Sequence, residues 1–375
     1  MVSTRRVALT PCWPADARWR LAGAAAGLFA DRALGEPPEK VHPVAMFGRA
    51  MASLEGAMWS DRRGRGAWFA LLGSATGLGV GILALEVARS AAYGTWGASR
   101  GEDRASAAAT LLATASATAI ACAGRCLWQT ALDVSRAARC GDLPGALLQL
   151  RALVGRDSTG FGTGDVARAV VESVAENTVD AIVAPALWAA GGGAAGALAY
   201  RAVNTLDSMV GHHSERYESF GWASARIDDV AGYVPARVTA LLVACARPLR
   251  ARAVLEAVRI DARRHPSPNS GVAEASFAAA LGLSLGGSVR YGERTEQRPP
   301  LGNGRPADLG DIERAVQLSR QITSLLTASL LAASFVVPGG SASARARPRR
   351  PLRLYARCSG GGCARRPGGD PPGPA

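Results

Sequence analysis

The stretch that decides the fold is residues 165–227, which read DVARAVVESVAENTVDAIVAPALWAAGGGAAGALAYRAVNTLDSMVGHHSERYESFGWASARI. Two apolar segments flank Gly191, Gly192 and Gly193, and each of them ends in a run of acids and amides. Each glycine costs about 1 kcal/mol in a helix interior, so three together predict a break. We therefore predict a helical hairpin, re-entrant or buried, that folds back at residues 193–194.

Acidic side chains recur along the first limb of this hairpin. Glu172, Glu176 and Asp180 are four residues apart, which places them on one face of a helix. Like charges at this spacing destabilise a helix by a few tenths of a kcal/mol per pair. Two interpretations remain open: a divalent cation compensates the charges, or Arg168, one turn earlier, forms a simple intrahelical ion pair with Glu172.

A second polar stripe follows the hairpin. Its members on one helical face are Arg201, Asn204, Ser208 and Gly211, with Asp207 on the flank. Polar groups beside an apolar layer are costly unless they are paired or used, so the stripe indicates function. A straight helix would separate Asp180 from Arg201 by about 30 Å. A hairpin instead places Asp180 opposite Asp207 and predicts one shared site.

Long uncharged windows indicate a membrane protein. They cover residues 67–85, 105–124, 181–200 and 321–344. The chain is 48% hydrophobic and only 19% charged, and its abundant Ala and Gly suit close helix packing. The alternative is a soluble, Ala-rich helical bundle. We predict an all-α, multi-pass helical membrane protein over residues 1–340, with the central hairpin and with cytoplasmic loops and helices.

The positive charge does not indicate a nucleic-acid-binding protein. Of the net charge of +13, residues 341–375 contribute +7, from eight Arg and one Asp. The rest is spread over loops, as the positive-inside bias of a bacterial inner-membrane protein predicts. Residues 341–375 have no apolar periodicity, so we predict a disordered Arg/Pro/Gly-rich tail.

Other motifs carry weaker signals. The segment D31RALGEPP and the following His42-Pro43 form a fixed turn that presents Asp31, Glu36 and His42, although a purely structural turn is the simpler interpretation. The cysteines show no zinc-ligand spacing. A Walker A loop is excluded because it needs Gly-Lys, and the one lysine, Lys40, precedes Val41.

Three strings together identify a family resemblance. ESVAENTVD (172–180), YRAVNTLDSMVGH (200–212) and ERYESFGWASARIDD (215–229) closely resemble the CbiB/CobD family of cobalamin-biosynthesis membrane proteins. The resemblance runs from about residue 31 to about residue 334. It departs at Glu36, where the family has Asp, at Val272-Ala273, and around residues 288–291.

The resemblance implies an enzyme of vitamin B12 biosynthesis. Such an enzyme, an amide-forming ligase or synthase, converts adenosylcobyric acid to adenosylcobinamide or its phosphate. It attaches aminopropanol, or aminopropanol phosphate, to the corrin f-side-chain carboxyl through an amide bond. ATP and Mg²⁺ are the implied cofactors, and other corrinoid-pathway enzymes and membrane lipid are implied partners. The alternatives are a non-catalytic corrinoid-binding membrane scaffold and a transporter.

Activating a carboxylate requires Mg²⁺ held by carboxylates and cationic groups that bind phosphate. Candidate catalytic residues are Glu172, Glu176, Asp180, Asn204 and Asp207. Candidate metal ligands are Glu176, Asp180, Asp207 and Asp228. Candidate substrate-binding residues are Arg156, Arg201, Ser208, Arg226, His265 and Asn269.

Overall fold

A computed structural model describes residues 14–96, 102–154, 158, 160–212, 214–291 and 294–338. The helices in this part of the chain are α1 (Ala17–Leu34), α2 (Pro43–Met58), α3 (Arg63–Trp96), α4 (Glu102–Ala121), α5 (Gly124–Arg139), α6 (Leu143–Leu150), α7 (Thr163–Thr178), α8 (Ala184–Val210), α9 (Trp222–Ala246), α10 (Ala251–Ile260), α11 (Ser270–Leu281) and α12 (Leu309–Val336). A π-helical turn, Val179–Val183, joins α7 to α8. The helical class is therefore confirmed. The predicted tail, residues 341–375, lies outside the described residues.

The central hairpin is present, and its break is at Gly193. This residue has φ 64° and ψ −149°, a backbone conformation that only glycine adopts readily, inside the otherwise helical α8. The chain then folds back so that Gly196 contacts the carbonyl of Trp188. The Nη1 of Arg20 in α1 donates to the Gly191 carbonyl at 2.7 Å, which fixes the tip. The first limb consists of α7, the π turn and the start of α8, which run on continuously.

Within the described residues, four helical segments are long and apolar enough to cross a membrane, by length and composition. They are Arg63–Thr95, Asp103–Arg139, Thr163–Val210 and Trp222–Ala246. Three of the four predicted windows fall within these segments. The window at residues 321–344 does not, and its described part belongs to α12. The segment Trp222–Ala246 was not among those windows, because Pro235 and Arg237 interrupt its apolar pattern; from the sequence, residues 230–246 were either a broken span or a helix packed within the membrane domain.

Glycines on α3 allow this helix to lie directly against the second limb of the hairpin. A Cβ at Gly77 would lie 2.6 Å from both the Ala202 Cβ and the Leu198 carbonyl oxygen. Gly81 meets the backbone of Ala195 in the same way. This is the small-xxx-small packing that brings membrane helices close together. Away from these glycines α3 exposes large apolar side chains, as a lipid-facing surface would, including Leu71, Leu72 and Leu83.

The helix α7 lies in the centre of the molecule. Side chains around its whole circumference are buried, from Val166 to Ala175. It packs against α12, where the Thr178 hydroxyl donates to Ser319 Oγ at 2.8 Å. Trp128 of α5 donates to the same Ser319 oxygen at 2.9 Å. A polar residue on this axis is therefore enclosed by other helices and must find its partners within the protein.

A small sheet was not predicted from the sequence. Strands β1 (Leu283–Tyr291), β2 (Arg294–Leu301) and β3 (Arg305–Pro306) form it in the order β2-β1-β3. Strand β1 pairs antiparallel with β2 and parallel with β3. Gly286 and Gly287 adopt positive φ at the point where the pairing register of β1 and β2 shifts, as in a β-bulge.

Candidate functional site

The first part of the site comes from the face that α7 and the π turn present to the second limb. Glu172 is buried, while Glu176 and Asp180 are partly buried. Asp180 lies within the π turn, whose wider backbone changes the direction of the side chains that follow. Such turns occur frequently at functional sites. Although Glu172, Glu176 and Asp180 are evenly spaced in the sequence, Asp180 therefore does not continue the line that the two glutamates form along α7.

The second limb supplies the partners of Asp180. The Tyr200 hydroxyl lies 3.5 Å from Asp180 Oδ1, a distance that a straight helix between them could not allow. Asn204 Nδ2 lies 3.5 Å from Asp228 Oδ1 on α9. Asp180 is within electrostatic range of both Asp207 and Asp228. The hairpin thus brings the two acidic stripes into one neighbourhood.

Glu176 connects this carboxylate group to the segment before α11. Its Oε1 accepts a hydrogen bond from the Ser270 hydroxyl at 2.7 Å. It also lies within electrostatic range of Asp180, Asp207 and Asp228. Glu172, one turn earlier, accepts instead from the backbone N–H of Gly286 at 2.8 Å. Glu172 therefore holds the β1 backbone against α7, while Glu176 faces the carboxylate group.

His265 and Asn269 are both buried in the turn that precedes α11. The Nδ1 of His265 lies 3.1 Å from the Ser267 backbone nitrogen and 3.2 Å from the Ser267 carbonyl oxygen, and its Nε2 lies 3.8 Å from Glu274 Oε1. Burial lowers the pKa of His265, and the positive charge of Arg298 lowers it further. The hydrogen bond with the Ser267 backbone raises this pKa, and Glu176 and Glu172 raise it more weakly. The imidazole is accordingly neutral at pH 7.

Asn269 attaches this turn to α9. Its Nδ2 donates to the Asp229 carbonyl at 2.9 Å, and its Oδ1 accepts from Arg237 Nη1 at 3.2 Å. Both ends of the amide are therefore bonded within the protein. Asn269 holds the α11 turn beside Asp228 and Asp229, and the predicted substrate contact stays a prediction.

Of the remaining predicted residues, some lie in the site and others lie at its edge or outside it. Arg201 donates through Nη1 to Asn204 Oδ1 at 3.3 Å and so belongs to the site. Ser208 is exposed, and its hydroxyl donates to the Asn204 carbonyl of its own helix at 2.9 Å. Arg226 is at the edge, with a side chain 69% exposed and 3.9 Å from Asp229 Oδ2. Arg156 lies outside the described residues.

The carboxylates do not form a complete set of metal ligands by themselves, but they suit a cation that is also bound by water or substrate. Among the described residues, no three His, Cys, Asp or Glu side chains converge as a preformed metal-binding group. Mg²⁺, however, is usually held by one or two carboxylates together with water and substrate phosphate. Asp180, Asp207 and Asp228 lie close enough to repel one another, and a divalent cation would relieve that repulsion. One or two of these carboxylates, completed by water, are the kind of ligand set in which Mg²⁺ is usually held.

Several residues of the site were missed by the sequence reasoning. Tyr200 is one helical turn before Asn204 and could have been added to the second stripe by its spacing. Ser270 and Arg237 had no such signal, because their partners Glu176 and Asn269 are distant in sequence. Arg168 bonds to Asp165 at 3.1 Å and to the Gly286 carbonyl, which the sequence did not suggest.

Comparison with known proteins decides the family. The model of the family described as CobD/Cbib protein matches residues 24–319, which include every described residue of the site. This chain belongs to the CobD/CbiB family.

Curated relatives agree with this family over most of their length. "Cobalamin biosynthesis protein CobD" of Mycobacterium tuberculosis (strain H37Rv) is 43% identical over 312 residues, which cover 81% of this chain and 92% of that protein. The protein of the same name from Pelobacter propionicus is 39% identical, covering 82% of this chain and 95% of the relative. That of Klebsiella pneumoniae is 36% identical, covering 83% and 96%. No solved structure matches the chain.

Proposed function

We propose that this CobD/CbiB protein acts in cobalamin biosynthesis as an amide-forming enzyme of the bacterial inner membrane. Family membership and the names of the curated relatives support the pathway. The observation that carries the enzymatic proposal is the convergence of Asp180, Asn204, Asp207 and Asp228 beside the hairpin. A scaffold that only held a corrinoid would have no need for several carboxylates in such close proximity inside a helical membrane protein.

The proposed reaction joins aminopropanol, or its phosphate, to the f-side-chain carboxylate of adenosylcobyric acid. A carboxylate is a poor electrophile, so ATP first transfers its γ-phosphoryl group to one of the carboxylate oxygens, and ADP leaves. The amine nitrogen then attacks the carbonyl carbon, the C–N bond forms, and the C–O bond to phosphate breaks. The amine loses its extra proton to a base, and inorganic phosphate leaves.

The residues divide this work according to their surroundings. When Mg²⁺ is bound, it supplies positive charge that neutralises phosphate oxygens. Asp180, Asp207 and Asp228 would hold it. Arg201, which donates to Asn204 Oδ1, is the residue proposed to bind phosphate. Glu176 faces the same neighbourhood from the first limb and is held there by the Ser270 hydroxyl, so it is the carboxylate proposed to accept the amine proton.

The test is amide formation by the purified protein in detergent micelles. The reaction contains adenosylcobyric acid, aminopropanol or its phosphate, ATP and Mg²⁺, and mass spectrometry detects the product. We expect Asp207→Asn to abolish product while leaving abundance near normal. The control Asp133→Asn changes a half-exposed carboxylate paired with Arg136 at 2.9 Å, and should behave as wild type. Tight corrinoid binding without product under any of these conditions would favour the scaffold or the transporter instead.

A further inference from the structure

A second polar pocket lies where the loop after α1 meets the start of α5. Asp31, at the end of α1, is only 2% exposed, and its Oδ1 has no hydrogen-bond partner in the described part of the chain. His42 is 7% exposed, and its Nε2 is likewise without a hydrogen-bond partner there. Glu36 connects the two, since it repels Asp31 and its Oε2 lies 3.8 Å from His42 Nε2. Buried polar atoms are rarely left without partners, so this pocket requires an explanation.

The charge of the pocket is not balanced from within. Burial, with a smaller contribution from the repulsion of Glu36, raises the pKa of Asp31 to about 6, although the backbone N–H groups of Arg125 and Gly124 act in the opposite direction. The Arg125 guanidinium is a nearby cation, but it donates to the Ala33 carbonyl at 2.6 Å. Its attraction for Asp31 is weaker than the repulsion from Glu36. A bound cation would stabilise the anionic form of Asp31.

The imidazole shows what kind of cation fits. The Val44 N–H donates to His42 Nδ1 at 3.2 Å, so Nε2 carries the proton and can only donate. A metal ion needs a lone pair on that nitrogen and does not fit this tautomer. The pocket instead offers carboxylate oxygens for an N–H donor and one imidazole N–H for an oxygen acceptor. A small ligand with an ammonium group and a neighbouring oxygen satisfies both.

The pocket adjoins the candidate site. The Ala123 N–H, just before α5, donates to the Ala181 carbonyl in the π turn at 3.0 Å, one residue after Asp180. Gly124 packs between Asp31 and Ile182 so closely that a Cβ there would lie 2.9 Å from Asp31 Oδ2. A ligand held by Asp31 is thus beside the segment that carries Asp180.

We propose that Asp31, Glu36 and His42 form the binding site for the amino alcohol substrate. The two carboxylates bind its ammonium group, and His42 donates to its hydroxyl or phosphate oxygen. This assignment rests on the proposed function, because that function supplies an amino alcohol as the second substrate. The site shares no residue with the carboxylates assigned to Mg²⁺, and an amine held here lies beside the π turn that carries Asp180.

Isothermal titration of the purified full chain tests the assignment without corrinoid or ATP. The probes are 1-amino-2-propanol, its phosphate, and propane-1,2-diol as the uncharged control. We expect the amines to bind and the diol not to bind. Asp31→Asn keeps the size of the side chain and an oxygen that accepts from the α5 backbone. It removes the negative charge, so it should weaken amine binding at least tenfold. Glu36→Gln, on an exposed loop, provides a second variant whose folding is not at risk.

Steady-state kinetics separate this role from a structural one. Asp31→Asn should raise the KM for the amine about tenfold or more, with the KM for adenosylcobyric acid unchanged. Asp133→Asn is the matched control. Absence of amine binding in the wild type, equal binding of the diol, or unchanged amine affinity in both variants would overturn the inference. Amine binding with no amide formed would refute the proposed function alone.

Discussion

Replacing Gly193 tests the hairpin on which the whole site depends. In Gly193→Ala, the φ of 64° and ψ of −149° must be adopted by a residue with a Cβ, which costs about 1–3 kcal/mol. The new Cβ would meet Thr114 Oγ1 at 3.5 Å and Arg20 at 3.8 Å, which are ordinary contacts. The expected cost is therefore backbone strain and not a clash.

The neighbouring glycine provides a matched control. Gly192 has helical geometry, and a Cβ there would have no heavy atom within 4 Å. Gly192→Ala should therefore stabilise the protein by about 0.5–1 kcal/mol. The same chemical change, one residue apart, should thus act in opposite directions. The two variants should differ by roughly 1.5–4 kcal/mol in free energy of unfolding.

Unfolding by SDS in mixed micelles, followed by circular dichroism and tryptophan fluorescence, measures this difference. Gly193→Ala should also lower amide formation, since a straightened hairpin would move Tyr200 and Asn204 away from Asp180 and Asp228. Equal stability of the two variants would mean that residue 193 is helical. The shared site would then lose its structural basis.

Four further results are expected. The protein should stay in the membrane fraction after carbonate washing, and recovery without detergent would contradict the membrane assignment. Deleting residues 341–375 should leave accumulation and activity unchanged, because their sequence has no pattern for burial. Gly77→Ala should destabilise the protein more than Gly79→Ala, since only the former would meet α8, at 2.6 Å, while Gly79 has nothing within 4 Å. Burial alone would raise the pKa of Asp311, but hydrogen bonds from Arg305, the Asp308 N–H and Arg314 outweigh it and lower the pKa. Asp311→Asn should therefore cost about 1 kcal/mol or more at pH 7 and progressively less as pH falls below about 4, measured by unfolding at each pH.

The sequence allowed the hairpin to be predicted because its cause is local. Consecutive glycines remove helix propensity at one point, and polar residues at helical spacing mark the faces on either side. The same reasoning paired Asp180 with the second limb. The π turn was not predicted: Pro185, two residues beyond it, removes one backbone donor, but the residues of the turn itself carry no mark in the sequence. It replaces the usual hydrogen bonds of Val179–Val183 without any glycine or proline at its centre.

Contacts between distant segments could not be predicted in this way. Glu172 and Glu176 belong to one stripe, yet Glu172 bonds to Gly286 and Glu176 to Ser270. Which of two equivalent carboxylates faces the site depends on where α11 and β1 pack against α7. The small sheet was missed for a related reason, since its strands pair across a glycine-rich irregularity and show no clear alternation.

The central position of α7 explains why the acidic side chains of the site are held by several different segments. This helix is buried over most of its length, so its polar groups find their partners within the protein, either on α7 itself, as Asn177 does, or on other elements. Glu172 and Glu176 are bonded to the segments around β1 and α11, and Asp180 contacts Tyr200 of the second limb. Movement of any one of these segments would leave a buried carboxylate without its partner. The same contacts that hold the fold together therefore also fix the geometry of the site, and the tip at Gly193 is the point where both can be tested at once.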